Sequence, residues 1–319
     1  MRFKLILATL SLVLALAPAQ AGVAFTFNFT DGAGVGFNDN TQGAARRAAL
    51  AQAGSIVGSL FGRYNATITI DVDGAETTDG TLAAAGSNYH SATPPTGFGN
   101  RGDVMLKILN GNAADPAPSL ADGSVTWNFQ DNLWELGTSF QANEFDFIST
   151  AAHELFHLVG FSSDISLTGR DLLNTAPGTA GRWSPFDRWV AGATGSIINS
   201  TDFKLDITKW NTASVGGAGA GLRFVGPNTL AANGGNPLFL FSPNPWQEGS
   251  SGSHLDDDFY HATYIMESAT DPGLGIRTFS ALEQAMLRDI GYTLVPEPTS
   301  ALLLLGSLGL MFVRRARPA

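Results

Sequence analysis

Between Asn143 and Val159 the apolar residues Phe147, Ile148, Ala151, Ala152, Leu155, Leu158 and Val159 recur at helical spacing and fall on one stripe. Such a helix is stable only where other chain covers the stripe, so it must lie against a core. Asn143 is placed to cap its start and Gly160 to stop it. The same segment carries His153-Glu154-Leu155-Phe156-His157. Residues four apart on a helix sit one above the other, so both imidazoles leave one face within reach of a single ion. Neutral imidazole is a preferred zinc ligand. Glu154 points to a different side, where its carboxylate can take a proton from a metal-bound water without binding the metal itself. The plain structural alternative is a core or surface helix that happens to carry two histidines.

A catalytic zinc site needs three protein ligands and an open position. The chain has no cysteine, which excludes disulfides, thiolate nucleophiles and Cys-based zinc sites. The third ligand must therefore be His, Asp, Glu or a backbone oxygen. Of the five histidines, only His90, His254 and His261 remain, and His90 reads as a loop residue. The 319 residues are 44% hydrophobic, enough for one sizeable domain or two small ones. The formal charge of -10 and the lack of a basic patch in the folded region argue against a nucleic-acid partner.

The two ends read as addresses. Met1-Arg2-Phe3-Lys4, the apolar run Leu5 to Ala17 and Ala19-Gln20-Ala21 have the three parts of a cleaved signal peptide, residues 1–21. At the other end Val295-Pro296-Glu297-Pro298 precedes the apolar segment 301–313 and Arg314-Arg315-Ala316-Arg317. Arginines after an apolar segment mark the cytoplasmic side, which puts the folded part outside the cytoplasm. The segment is short for a permanent span of ~20 residues. This tail, 295–319, resembles the PEP-CTERM sorting signal. That resemblance implies a Gram-negative host, transient inner-membrane contact, removal by an exosortase-type enzyme, and release to the periplasm, cell surface or medium.

Residues 22–294 are then the mature domain. Val23 to Phe29, Ala66 to Val72, Asp103 to Leu109 and Ser124 to Phe129 read as strands, and Ala44 to Phe61 as an alanine-rich amphipathic helix. Gly178 to Gly252 reads as mostly loop. A final helix, Ala281 to Ile290, is announced by Ser280 and Glu283 in capping-box spacing and closed by Gly291. The fold class expected is α+β, with a mixed sheet, the HExxH helix and a loop-rich C-terminal lobe. The upper lobe would span about 22–160 and the lower about 161–294.

His153-Glu154-Leu155-Phe156-His157-Leu158-Val159-Gly160-Phe161 resembles the extended signature of the metzincins, a clan of zinc peptidases. In that clan the glycine turns the chain so that a later residue reaches the metal. Compact members place His or Asp three positions after the glycine; here Ser163 stands there, with Asp164 next. The leishmanolysin-like branch inserts tens of residues, then supplies a His within a Ser-His segment and a methionine turn. Ser253-His254-Leu255-Asp256 and Tyr264-Ile265-Met266-Glu267 resemble those two pieces, although the insertion is longer and that family is rich in cysteine. The resemblance implies a zincin/metzincin-like fold, His254 as third ligand and Met266 in the turn; Asp164 and His261 stay as alternative ligands. Where some metzincins have a tyrosine after the methionine, Ser268 stands here, leaving Tyr260 or Tyr264 as oxyanion donors or as structural residues.

Asp71-Val72-Asp73-Gly74 and Asp256-Asp257-Asp258 complete no EF-hand loop, so calcium is unsupported and solvated turns are the better reading. Pro185-Phe186-Asp187-Arg188-Trp189 is either a wall of the cleft or a packed loop. No Gly-x-Ser-x-Gly motif singles out a nucleophilic serine. The reading is a secreted zinc endopeptidase acting on protein or peptide through Glu154. Its rival is a non-enzymatic surface or extracellular-matrix protein with a structural or vestigial metal site.

Overall fold

The computed structural model describes residues 22–75, 80–130, 132–139, 141–273 and 275–294. The leader expected over 1–21 and the sorting tail over 295–319 lie outside the described residues. The chain is a mixed α+β fold. Strand β1 (Val23–Phe29), helix α1 (Gly43–Leu60), β2 (Ala66–Ala75), β3 (Ala83–Ser87), helix α2 (Asp103–Asn110) and β4 (Gly123–Asn128) come first. The short strands β5 (Trp134–Glu135) and β6 (Phe145–Asp146) lead into helix α3 (Phe147–Leu158). The main sheet has the order β1-β2-β4-β3; β1, β2 and β4 are parallel and β3 runs antiparallel at an edge.

Alternation decides which face of this sheet is covered. Ile68, Ile70, Val72, Val125 and Trp127 are buried, whereas Thr26, Asn28, Thr67 and Ser124 on the other face are exposed. Small residues let α1 lie close to the sheet. A Cβ on Gly58 would stand 2.3 Å from the Val23 carbonyl oxygen, so a larger residue would push the helix away.

Three segments depart from the sequence-based expectation. Residues 103–109 form α2 rather than a strand. Val104, Leu106 and Ile108 mimic period-two alternation, but Val104, Met105 and Ile108 form the buried helical stripe. Buried Lys107 is neutralised there by Asp115 at 2.7 Å and Asp122 at 3.0 Å. The acidic run 71–74 belongs to β2 rather than to a turn, because pairing with β4 carries the strand on to Ala75. Helix α3 begins three residues later than expected, since Phe145 and Asp146 pair with β5. Its N-cap is Asp146, not Asn143: the carboxylate accepts the Ile148 N–H at 3.0 Å. Arg277 clasps both oxygens of the same carboxylate at 2.7 Å.

Beyond α3 the chain builds β7 (Val190–Gly192), β8 (Gly195–Ser196), α4 (Ile207–Ala213), β9 (Arg223–Phe224), α5 (Pro227–Ala232) and β10 (Leu238–Phe239). Helices α6 (Asp257–Tyr260) and α7 (Ala281–Asp289) follow. The stretch expected to be loop thus contains a small sheet, β10-β9-β7-β8, whose two- and three-residue strands are too short to show a period. Trp183, Trp210, Phe186 and Phe224 fill its core. The capping box of α7 forms as expected, with Ser280 and Glu283 bonded reciprocally. Among the described residues no helix is long and apolar enough to cross a membrane.

Deleting Arg277 would leave the Asp146 carboxylate, 1% exposed, without its cation. Arg277→Ala is expected to lower the unfolding free energy in urea by about 3 kcal/mol. Arg63→Ala, at an exposed position, is expected to change it by less than about 0.5 kcal/mol.

Candidate metal centre

The end of α3 sets the position of the first half of the site. Gly160 adopts φ +96°, a left-handed value that closes the helix. The Gly160 N–H bonds to the His157 carbonyl at 2.9 Å and the Phe161 N–H reaches the Phe156 carbonyl at 3.4 Å, the paired bonds of a Schellman ending. This turn brings the Phe161 carbonyl back to His157, whose Nδ1 donates to it at 2.7 Å. His153 Nδ1 donates to the Ile265 carbonyl and His254 Nδ1 to the Ser250 carbonyl, each at 2.7 Å.

A carbonyl oxygen can only accept, so each of these three Nδ1 atoms carries a proton. Burial pushes His153 down to about 3 and His254 to about 4, and burial with the neighbouring rings takes His157 well below the usual range. The rings are therefore neutral and their Nε2 atoms bare. Those Nε2 atoms lie 3.0, 3.0 and 3.1 Å apart. With no hydrogen among them, these contacts are three lone pairs aimed at one point, an arrangement that a cation relieves. Two nitrogens 2.0–2.1 Å from a common zinc are at most about 4.2 Å apart, so the spacing fits one ion. His153, His157 and His254 are thus a buried group able to hold a metal ion.

Glu154 stands beside them in a cavity of about 620 Å³. It is buried, its carboxylate accepts no hydrogen bond from the described residues, and burial pushes its pKa up to about 8. One wall of the cavity is β3, through Ala83, Ala84 and Ala85. Asn88 donates to the Asp122 carbonyl and Leu82 accepts from Asn128, so even-numbered positions face β4. The N–H and C=O of Ala83, Ala85 and Ser87 consequently point to the open edge.

Of the two alternative ligands, neither joins the group. Asp164 accepts the Asn100 amide at 3.0 Å and lies 3.5 Å from the Tyr89 hydroxyl. His261 ends α6 at φ +55° and is exposed. His90 instead pairs with Asp103 at 2.6 Å. Met266 is fully buried, its N–H on Glu283 and its carbonyl on the Leu255 N–H. The Tyr260 hydroxyl is occupied by the Phe239 N–H, Ser268 bonds to Asp257, and Tyr264 lines the cavity. Asp256 accepts the Gly219 N–H at 2.9 Å. In the cluster 185–189 Phe186 and Asp187 are fully buried, Pro185 lines a smaller cavity, and Arg188 is exposed.

Sequence reasoning missed the carbonyls of Phe161, Ser250 and Ile265, because a backbone oxygen has no residue signature. It read Glu283 only as a cap; the same carboxylate also holds the Met266 N–H, and Glu267 gathers the N–H groups of Ala262, Thr263 and Tyr264. No family model matches this chain, and no curated protein matches it.

His254→Ala is expected to weaken divalent-metal binding by more than the roughly 10–100-fold that loss of a supporting residue costs. His261→Ala is expected to leave it within twofold. Titration calorimetry with zinc on both variants checks this.

Proposed function

We propose that this chain is a zinc-dependent endopeptidase of metzincin-like fold, nearest in arrangement to the leishmanolysin-like branch. The observation that carries the proposal is three bare imidazole nitrogens converging beside an unpartnered Glu154, in a cavity walled by an open strand edge. The supporting parts are the glycine ending of α3, the third histidine from a distant loop, and buried Met266 on the strand of chain next to it.

His153, His157 and His254 would hold the zinc. The ion would supply a water of pKa near ~7 and polarise the scissile carbonyl. Glu154 would accept the proton of the attacking water and pass it to the leaving amine. Burial favours its protonated form, and a nearby cation draws it back toward the ionised base. Ala83, Ala85 and Ser87 offer three N–H and C=O pairs at the spacing of an extended peptide, which favours a peptide over other acyl substrates. Export through the leader and sorting by the tail complete the proposal, with protein outside the cytoplasm as substrate.

The test is zinc content by elemental analysis together with casein hydrolysis, with and without chelator. One zinc per chain and chelator-sensitive cleavage are expected. Glu154→Gln is expected to retain the zinc and lose at least about a hundredfold in turnover. Zinc without cleavage in the parent protein would favour a non-enzymatic metal-binding protein, and a Glu154→Gln variant keeping a tenth of the activity would remove Glu154 from its role.

A further inference from the structure

His157 and Ser162 line both the larger cavity and a second one, of about 210 Å³, which Glu154 does not line. The two cavities share one wall. Along β3, Ala83 and Ala84 line the larger, Ala85 lines both, and Gly86 and Ser87 line the smaller. An extended chain laid on the open edge of β3 would pass from one into the other, because the free backbone groups at Ala83, Ala85 and Ser87 run the length of both.

The smaller cavity has a carboxyl lining residue with unused hydrogen-bonding capacity. Asp164 carries two carboxylate oxygens with about four acceptor positions, and its partners are the Asn100 amide at 3.0 Å and the Tyr89 hydroxyl at 3.5 Å. Its backbone is tied to Asp187. The fully buried Asp187 accepts the Asp164 N–H at 3.2 Å, the Ser163 hydroxyl at 2.7 Å and the Ser184 N–H at 3.0 Å. Asp187 is thereby fully engaged, and Asp164 is not. Arg101, the basic residue of the lining, makes no ion pair with Asp164, and its charge acts on Tyr292. Besides burial, the charges of Asp164, Asp187 and Asp103 all raise the Tyr89 pKa. Burial and the Asp187 charge likewise raise that of Asp164, so a negative charge there is costly until a cation arrives.

We propose that this second cavity is a substrate subsite for a primary ammonium group, with Asp164 as its counter-ion. The inference rests on the peptidase reading above and narrows its substrate class to peptides carrying a lysine side chain, or a free N-terminus, on the His157 side of the scissile bond. An ammonium group can donate to the roughly two acceptor positions that Asn100 and Tyr89 leave open, with its remaining donor free for other partners. A neutral aliphatic chain of the same length would leave the carboxylate desolvated and unpaired, which is the basis of the selectivity.

The test uses binding as well as turnover. Two sets of acetylated peptides are prepared, one with lysine scanned through each position and one with norleucine in its place. Dissociation constants are measured by calorimetry at pH 8 on the zinc-loaded Glu154→Gln protein, and kcat/KM on the parent protein. At one position lysine is expected to bind at least about tenfold more tightly than norleucine. Adding Asp164→Asn is expected to bring that ratio within about twofold while zinc stoichiometry and the unfolding midpoint stay unchanged. An unacetylated norleucine set that reproduces the gain would support the subsite and assign it to the substrate's N-terminal ammonium. The absence of any preference in the Glu154→Gln protein, which needs no second variant, overturns the proposal, as does a preference that survives Asp164→Asn. Selective binding without cleavage by the parent protein would leave the subsite standing and remove the peptidase reading. Cleavage without selectivity would do the reverse.

Discussion

Three backbone carbonyls, those of Phe161, Ser250 and Ile265, each hold the Nδ1 proton of one imidazole. Because these oxygens cannot donate, they leave the opposite nitrogen of every ring bare and pointing at the other two. Much of the fold can be understood as the means of delivering those carbonyls. Phe161 arrives through the left-handed turn at Gly160. Ser250 comes with the loop that Gly252 closes on the Phe241 carbonyl. Ile265 lies in a segment that Glu283 ties to α7 and the Leu255–Met266 bond ties to the chain around His254.

Buried carboxylates divide into two kinds by their partners. Asp146, Asp187, Glu267 and Glu283 each accept backbone N–H groups, and each fixes a helix start or a loop near the metal centre. Their desolvation is offset by hydrogen bonds, so their work is structural. Glu154 accepts no hydrogen bond from the described residues, Asp164 accepts one at each oxygen, and both lie on cavities. An acid left short of partners beside open space is where chemistry or binding is expected.

The sequence exposed helix α3 because its apolar stripe and its two histidines obey one period, and α7 because its capping box is local. His254 could be singled out only through resemblance, since nothing in the residues between α3 and that loop encodes their meeting. Strand and helix are hard to separate at 103–109 because Val104 and Ile108 fit both periods, and the partners of Lys107, Asp115 and Asp122, lie further along the chain. The small sheet after α3 was invisible for a different reason: its strands are shorter than one full alternation. Asp146 was overlooked as a cap because pairing of Phe145 and Asp146 with β5 depends on distant chain. Asp164 enters as an alternative ligand through the metzincin resemblance, one position past the compact spacing, and its bonds to Asn100 and Tyr89 come from segments far upstream.

The central claim is that three neutral imidazoles meet on one ion through their Nε2 atoms. X-ray absorption at the zinc edge of the loaded protein tests it most directly. The account predicts three imidazole nitrogens and an oxygen at about 2.0–2.1 Å. A spectrum with one imidazole or none, or a shell made of oxygen alone, would contradict it.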